Sequence, residues 1–392
     1  MPWKESSVVN ERMHFIVRLQ AGERMVDLCR EYGISRKTGY KYMERFGRLG
    51  AIGLSDQSRA PRHPHRFEGP VVDLVVGLRR EHPTWGPRKI REVLLRRHHG
   101  VALPGTTTIS LLIARAGLAS PRRSRNRVPV FPGHLTQAGS ANDVWCADYK
   151  GQFRLANTDY CYPLTVSDDA SRFLLRIEAF DRINLEEARY VFEEAFSAYG
   201  LPLVIRTDNG TPFAGRGLLG LTRLSVFWIK QGIRPERIEP GEPQQNGRHE
   251  RMHRTLKEET TRPAAKNLLQ QQERFDCFID VFNKERPHEA LGMDTPSQHY
   301  RASDRRYLPK RLEYPLHDDV IKVHATGHAA VIRRRGKAFF VSTALAGEEI
   351  GIRHIGDETW LLSFADLDLG IYYATSHEFH PADLGTSSPR EA

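Results

Sequence analysis

The sequence predicts a multidomain chain with N-terminal all-α helix-turn-helix units, a central α/β domain and a small all-β barrel near the C-terminus. The hydrophobic period points to this architecture, because it runs helical first, then alternates strands with helices, then shortens to strands separated by Gly and Asp turns. Stretches of Pro and basic residues without any period divide the blocks. The charge is the third observation. Lys and Arg number 58 against 48 Asp and Glu, a balance that suits a polyanionic partner such as nucleic acid. The four cysteines have no CxxC or paired His spacing, so neither a disulfide framework nor a zinc site is expected. No apolar run approaches the ~20 residues of a membrane span, so a cytoplasmic protein is expected.

The first unit spans residues 8–50. Phe15, Ile16 and Leu19 make one apolar face and Met25, Val26, Leu28 and Cys29 a second, which stops at Tyr32-Gly33. Ser35 is a good N-cap for the helix that follows. A short Gly-containing turn before a helix that begins Arg36, Lys37, Thr38, Tyr40, Lys41 reads as a helix-turn-helix, with those five as DNA contacts. A helical bundle with a solvated basic face is the alternative. Residues 57–67 read as a linker, in which His63 and His65 are exposed linker histidines rather than metal ligands.

A second helix-turn-helix domain is expected over 68–120, with helices near 71–80, 87–98 and 107–116 and Trp85 packed between them. A basic linker over 121–137 begins with four arginines in nine residues. Arg122, Arg123 and Arg125 read there as an arm that follows a nucleic-acid backbone, or as a solvated spacer.

The α/β block, residues 138–305, shows strand patterns near 144–149, 160–166, 173–179 and 203–207. Helices are expected near 185–199, 218–231, 247–260 and 268–283. Asp168 and Asp169 sit between two strand patterns and read as turn residues, in competition with a ligand role. The barrel is expected over 314–375, with Arg333, Arg334 and Arg335 on one hairpin as an accessory nucleic-acid contact or part of a structural cap. The tail from Gly385 is expected to fray.

The chemistry concentrates in three acids. Asp148 lies in an apolar strand pattern, Asp208 closes another and is followed by Asn209-Gly210, and Glu250 begins a helix after a turn-rich loop. Carboxylates on rigid elements, with no Cys or His cluster, suit a hard oxygen-ligated cation such as Mg²⁺. Two such ions about 3.5–4 Å apart can clamp an in-line phosphoryl transfer. Asp148 would bridge the two ions, and Asp208 and Glu250 would take one each. Gly210 permits a sharp exit from the strand, and the Asn209 amide can hold a ligand. Along the helix, His253, Arg254 and Lys257 are expected to share the face of Glu250 as a basic stripe for phosphate.

These motifs carry a resemblance. Trp145 to Gly151, Thr207-Asp208-Asn209-Gly210-Thr211-Pro212-Phe213 and Pro243 to Arg251 resemble the catalytic motifs of the retroviral-integrase superfamily. Asn283 to Leu291 is similar to the segment that follows them in bacterial insertion-sequence transposases. The resemblance implies an RNase H-like integrase core and an acidic DDE triad matched by Asp148, Asp208 and Glu250. It also implies two Mg²⁺ ions, with Mn²⁺ as substitute, and DNA cleavage and joining without a covalent protein intermediate. Gln245 and Asn246, just ahead of Glu250, are further expected DNA contacts, with Arg254 and Lys257. The stretch from Asp208 to Glu250 is longer than is usual in the superfamily. Residues 215–220 read as the insertion, with Glu239 and Glu242 as fallback ligands. The chain also lacks the His/Cys zinc module of retroviral integrases.

The function so implied is a transposase acting on terminal inverted repeats and target DNA, oligomeric on DNA and nucleoid-associated when bound. A non-catalytic DNA-binding relative and an RNase H-like nuclease without a joining step are the alternatives.

Overall fold

The computed structural model describes residues 7–57, 67, 69–119, 135–149, 151–215, 217–308, 312–329 and 338–382. The chain divides into two compact units, Met1–Phe67 and Glu68–Ala392. Among the described residues no helix is long and apolar enough to cross a membrane.

The first unit contains α1 (Val8–Gln20), α2 (Met25–Glu31) and α3 (Arg36–Leu49). Ser35 caps α3 by accepting from the Thr38 N–H at 3.2 Å. Phe15, Ile16, Leu28, Cys29 and Leu54 form its core. Gly39 lets α3 approach α2 closely, because a Cβ there would lie 2.7 Å from Met25 Sδ and 2.8 Å from Cys29 Sγ.

The second unit opens with α4 (Pro70–Glu81), α5 (Pro87–Arg97) and α6 (Thr106–Arg115), closed around a fully buried Trp85. Prolines at the first turns of α4 and α5 fit the missing hydrogen-bond partners there.

The α/β domain follows: β1 (Val144–Tyr149), β2 (Phe153–Arg154), β3 (Tyr160–Asp168), β4 (Leu174–Phe180), α7 (Leu185–Tyr199), β5 (Val204–Thr207), α8 (Arg223–Lys230), β6 (Arg234–Arg237), α9 (Gly247–Thr260), α10 (Leu268–Lys284) and α11 (Pro296–His299). The sheet runs β2-β3-β1-β5-β6, with β4 on β3. β3 is antiparallel to β1, whereas β1, β5 and β6 are parallel. One face of the sheet packs on α7 and α8 through Trp145, Phe192, Phe196 and Trp228, and Met252 of α9 and Phe275 of α10 cluster with Ile177 of β4.

The second helix-turn-helix domain is bolted to this core. Val281 of α10 joins its apolar cluster. Thr84 donates to Glu259 at the end of α9, which Arg286 also grips at 2.6 Å. Arg97 reaches Glu285 at 2.6 Å.

One sequence expectation is corrected. The helix expected over 218–231 is a 3-10 turn, Leu218–Gly220, followed by α8. Gly220 has φ +64° and Thr222 forms a capping box, so a new helix starts after it. The C-terminal strands form the expected small all-β unit, an antiparallel sheet domain. Its strands are β7 (Asp319–Lys322), β8 (His328–Ala329), β9 (Phe339–Phe340), β10 (Glu349–Gly356), β11 (Thr359–Phe364), β12 (Leu367–Tyr373) and β13 (Glu378–Pro381). Five make a meander, β13-β12-β11-β10-β7, and β8-β9 form a ribbon. The first and last strands of the meander are unpaired to each other among the described residues. Arg333, Arg334, Arg335 and the tail from Gly385 lie outside the described residues, as do His63 and His65.

The sheet domain packs on the segment that runs from Leu218 into α8. Leu218, Leu221 and Val226 belong to the same buried cluster as Ile350, Leu362 and Phe364. Lys230 also meets Glu348 at 2.8 Å.

Candidate active site

The pairing of β1 with β5 sets Ala147 beside Thr207. Asp148 and Asp208 each follow by one residue, so they emerge at neighbouring positions from the C-terminal ends of adjacent parallel strands, roughly 5 Å apart in backbone spacing. This is where an open α/β sheet presents ligand-binding groups. The apolar residues Val144, Trp145, Cys146 and Ala147 bury the strand up to that point, and the Asp148 side chain is 24% exposed.

The turn after β5 folds back over its acid. The Gly210 N–H donates to Asp208 Oδ1 at 3.0 Å, and a Cβ on Gly210 would lie 3.0 Å from Oδ2. A side chain there would crowd the carboxylate, so glycine suits the position. Asn209 points elsewhere, donating to Ile238 O at 2.7 Å and tying the turn to the residue after β6.

Glu250 stands exposed on the first turn of α9. Arg254 and Lys257 share that solvent face, but His253 does not. It is buried with His249, Met252 and Leu256, which corrects its expected membership of the basic stripe. A residue three positions on from Glu250 is rotated toward the flank of the helix, and here that flank faces the sheet.

The side chains that converge on Asp148 are therefore histidines. Among the described residues, ligand atoms of Asp148, His249 and His253 lie within 4.8 Å of one another, and no such group contains all three acids. His253 Nδ1 is 3.6 Å from Asp148 Oδ2. Both ring nitrogens of His249 are engaged, Nδ1 with Ser167 Oγ at 2.7 Å and Nε2 with Thr165 Oγ1 at 2.8 Å. That makes His249 a packing residue rather than a ligand. Asp148, Asp208 and Glu250, the expected donor set, offer only carboxylate oxygens, the ligand type that a hard divalent cation takes. His249 and Thr165 were missed by sequence reasoning. The His-x-x-x-His spacing on an amphipathic helix was the available signal.

Other candidates are structural. The Asp168 carboxylate accepts from Asn142 N, Ser171 N and Ser171 Oγ at 2.7, 2.7 and 2.5 Å, and burial still pushes its pKa up. Asp169 is paired with Arg248 at 2.7 Å. Both acids hold the β3–β4 turn, as their turn position predicts. Glu242 accepts from the Gln244 amide, and Gln245 Oε1 accepts from Glu239 N at 2.9 Å. Asn246 is buried, unlike the other expected DNA contacts of this region. On α3, Arg36, Lys37 and Lys41 are exposed and Tyr40 is 54% exposed, while the Thr38 hydroxyl meets Ser35 Oγ at 2.9 Å. Arg122, Arg123 and Arg125 lie outside the described residues.

Near the seam with the second helix-turn-helix domain, burial and Arg286 hold Lys89 down at about 8. Burial, with Lys89 and Arg286, holds His288 at about 3.

Similarity to known proteins falls on both the helical and the α/β parts of the chain. Residues 139–243 and 231–296 match families described as Integrase core domain. Residues 11–62 match a Helix-turn-helix domain family and 38–112 a Homeodomain-like domain family. The chain is 28% identical over 227 residues to the insertion element IS476 39.2 kDa protein of Xanthomonas euvesicatoria, covering 57% of this chain and 62% of that protein. It is 27% identical over 195 residues to the insertion element IS407 31.7 kDa protein of Burkholderia multivorans, covering 48% and 66%. The chain thus spans somewhat less than two thirds of the length of these relatives. A solved structure of the HTLV-2 integrase catalytic core domain in complex with magnesium aligns at 18% identity and TM-score 0.34, covering 42% of this chain and 100% of that one. The chain therefore carries integrase-core matches over residues 139–296 and helix-turn-helix matches ahead of them, and it is similar to insertion-element proteins.

Proposed function

We propose that this protein is a DNA transposase, cleaving at the ends of an insertion element and transferring the freed strand into target DNA. The support is chiefly the register of β1 and β5, which brings Asp148 and Asp208 out side by side, with α9 packed on the neighbouring strand β3.

In this reading Asp148, Asp208 and Glu250 bind two divalent cations, Mg²⁺ or Mn²⁺. When bound, those ions supply Lewis-acid polarisation of the scissile phosphate and of the attacking and leaving oxygens. The chain's own part is placement. Asp148 and Asp208 are fixed by the strands, and the Gly210 N–H holds the Asp208 carboxylate in one orientation. Arg254 and Lys257, exposed on the helix of Glu250, meet the phosphate backbone. Arg36, Lys37, Thr38, Tyr40 and Lys41 read the terminal repeats, with Arg122, Arg123 and Arg125 following the backbone beyond them. Two element ends must be held together for joining, so the active form is a homo-oligomer on DNA.

The test is linear DNA carrying the sequence that flanks the gene, incubated with the protein and Mg²⁺ or Mn²⁺ beside Asp208→Asn. Metal-dependent nicking and joining that vanish in the variant are expected. Nicking of any sequence without joining would instead identify a nuclease, and end binding without cleavage a non-catalytic DNA-binding protein.

A further inference from the structure

β1 and α9 are far apart in sequence, and one buried oxygen on β3 bonds to both. Thr165 lies on β3 directly opposite Asp148 in the antiparallel ladder and is fully buried. Its hydroxyl donates to Asp148 O at 3.0 Å. The same oxygen lies 2.8 Å from His249 Nε2 and 2.6 Å from His253 Nε2.

A hydroxyl has one proton and two lone pairs. With the proton given to Asp148 O, both imidazoles must donate from Nε2. His249 Nδ1 then accepts from the Ser167 hydroxyl, and His253 Nδ1 faces the Asp148 carboxylate. Thr165 Oγ1 is thereby filled by three partners, one on the strand of Asp148 and two on successive turns of the helix of Glu250. Packing alone does not need this chemistry. Val has the same shape and suits a strand at least as well, but it would remove the acceptor that both Nε2–H groups meet here.

We propose that Thr165 is a positioning residue whose hydroxyl fixes the register of α9 on β1, so that Asp148 and Glu250 take up a divalent cation together. The inference rests on the metal-binding role proposed above for those two acids. Thr165 touches neither metal nor DNA in this account. It acts through the two histidines.

The test titrates Mn²⁺ into the full-length chain, following free Mn²⁺ by electron paramagnetic resonance, with hydrogen exchange of α9 measured on the same samples. Thr165→Val is expected to weaken Mn²⁺ binding about tenfold or more, in the range of lost outer-shell support, and to speed exchange in the first turn of α9. Thr165→Ser keeps the hydroxyl and is expected to restore both. Should Thr165→Val fail to fold, His253→Leu against His253→Gln asks the same question, since Gln returns an N–H near the place of Nε2. A folded Thr165→Val or His253→Leu that binds Mn²⁺ like wild type overturns the proposal alone. Wild type that binds Mn²⁺ no better than Asp208→Asn overturns the metal-site reading, and this proposal with it.

Discussion

On one side of α9, His249, Met252, His253, Leu256 and Thr260 are buried against the sheet and α10; on the other, Glu250, Arg251, Arg254, Lys257 and Glu258 stand in solvent. The helix is polar in composition, so its place rests on that one stripe, where Met252 and Leu256 join Phe275, Phe278 and Ile177. The contrast teaches where stability and chemistry are kept. Changes on the buried face should be felt first in folding, and changes on the open face in activity with folding intact.

The largest expected effect comes from the open face. Glu250→Gln should lower end cleavage by a factor on the order of 10³ or more, since a lost metal ligand removes several kcal/mol of transition-state stabilisation. Its Tm should stay within about 2 °C of wild type, as for other surface changes. A variant that melts much earlier would break the division between the faces. Leu256→Ala tests the other side. Leu256 is 1% exposed, and truncation there should cost about 2–5 kcal/mol in urea unfolding.

His288 sharpens the comparison at the far end of the helix, where Arg286 grips Glu259. Its folded pKa, about 3, lies below the ordinary histidine value of 6.5. The unfolded chain therefore binds the extra proton between those values. Stability should be fully present above pH 6.5 and fall by a few kcal/mol as pH drops toward about 3. His288→Phe should flatten that part of the pH–stability curve. The smallest effect is expected from Arg254→Ala with Lys257→Ala. DNA affinity should weaken across all sequences, and the salt dependence of log K should lose about one unit of slope per residue, with Tm unchanged.

Much of this was legible in the sequence because it depends on local pattern. The spans of α7 and α9 follow from apolar period and caps, and β1 from an unbroken apolar run that ends at its acid. The side-by-side placement of Asp148 and Asp208 was readable only as two strand ends, since pairing is not a local property. β6 shows why the rest was hidden. Arg234-Pro235-Glu236-Arg237 has no strand pattern, and it becomes a strand because β5 pairs with it and Glu236 takes Arg206 at 2.8 Å. The His253 side chain was assigned to the wrong face for a related reason. A polar residue at the edge of a helical stripe faces inward only if something waits there, and Thr165 comes from a distant strand.

The stretch between Asp208 and Glu250 shares its burial with the far end of the chain. Leu218, Leu221 and Val226 are buried only because strands more than a hundred residues downstream cover them, and those strands are covered in return. Deleting either piece would strip the other and leave an oily, aggregation-prone surface. Two segments widely separated in the chain therefore share one core, and a variant that kept only one of them should be poorly soluble.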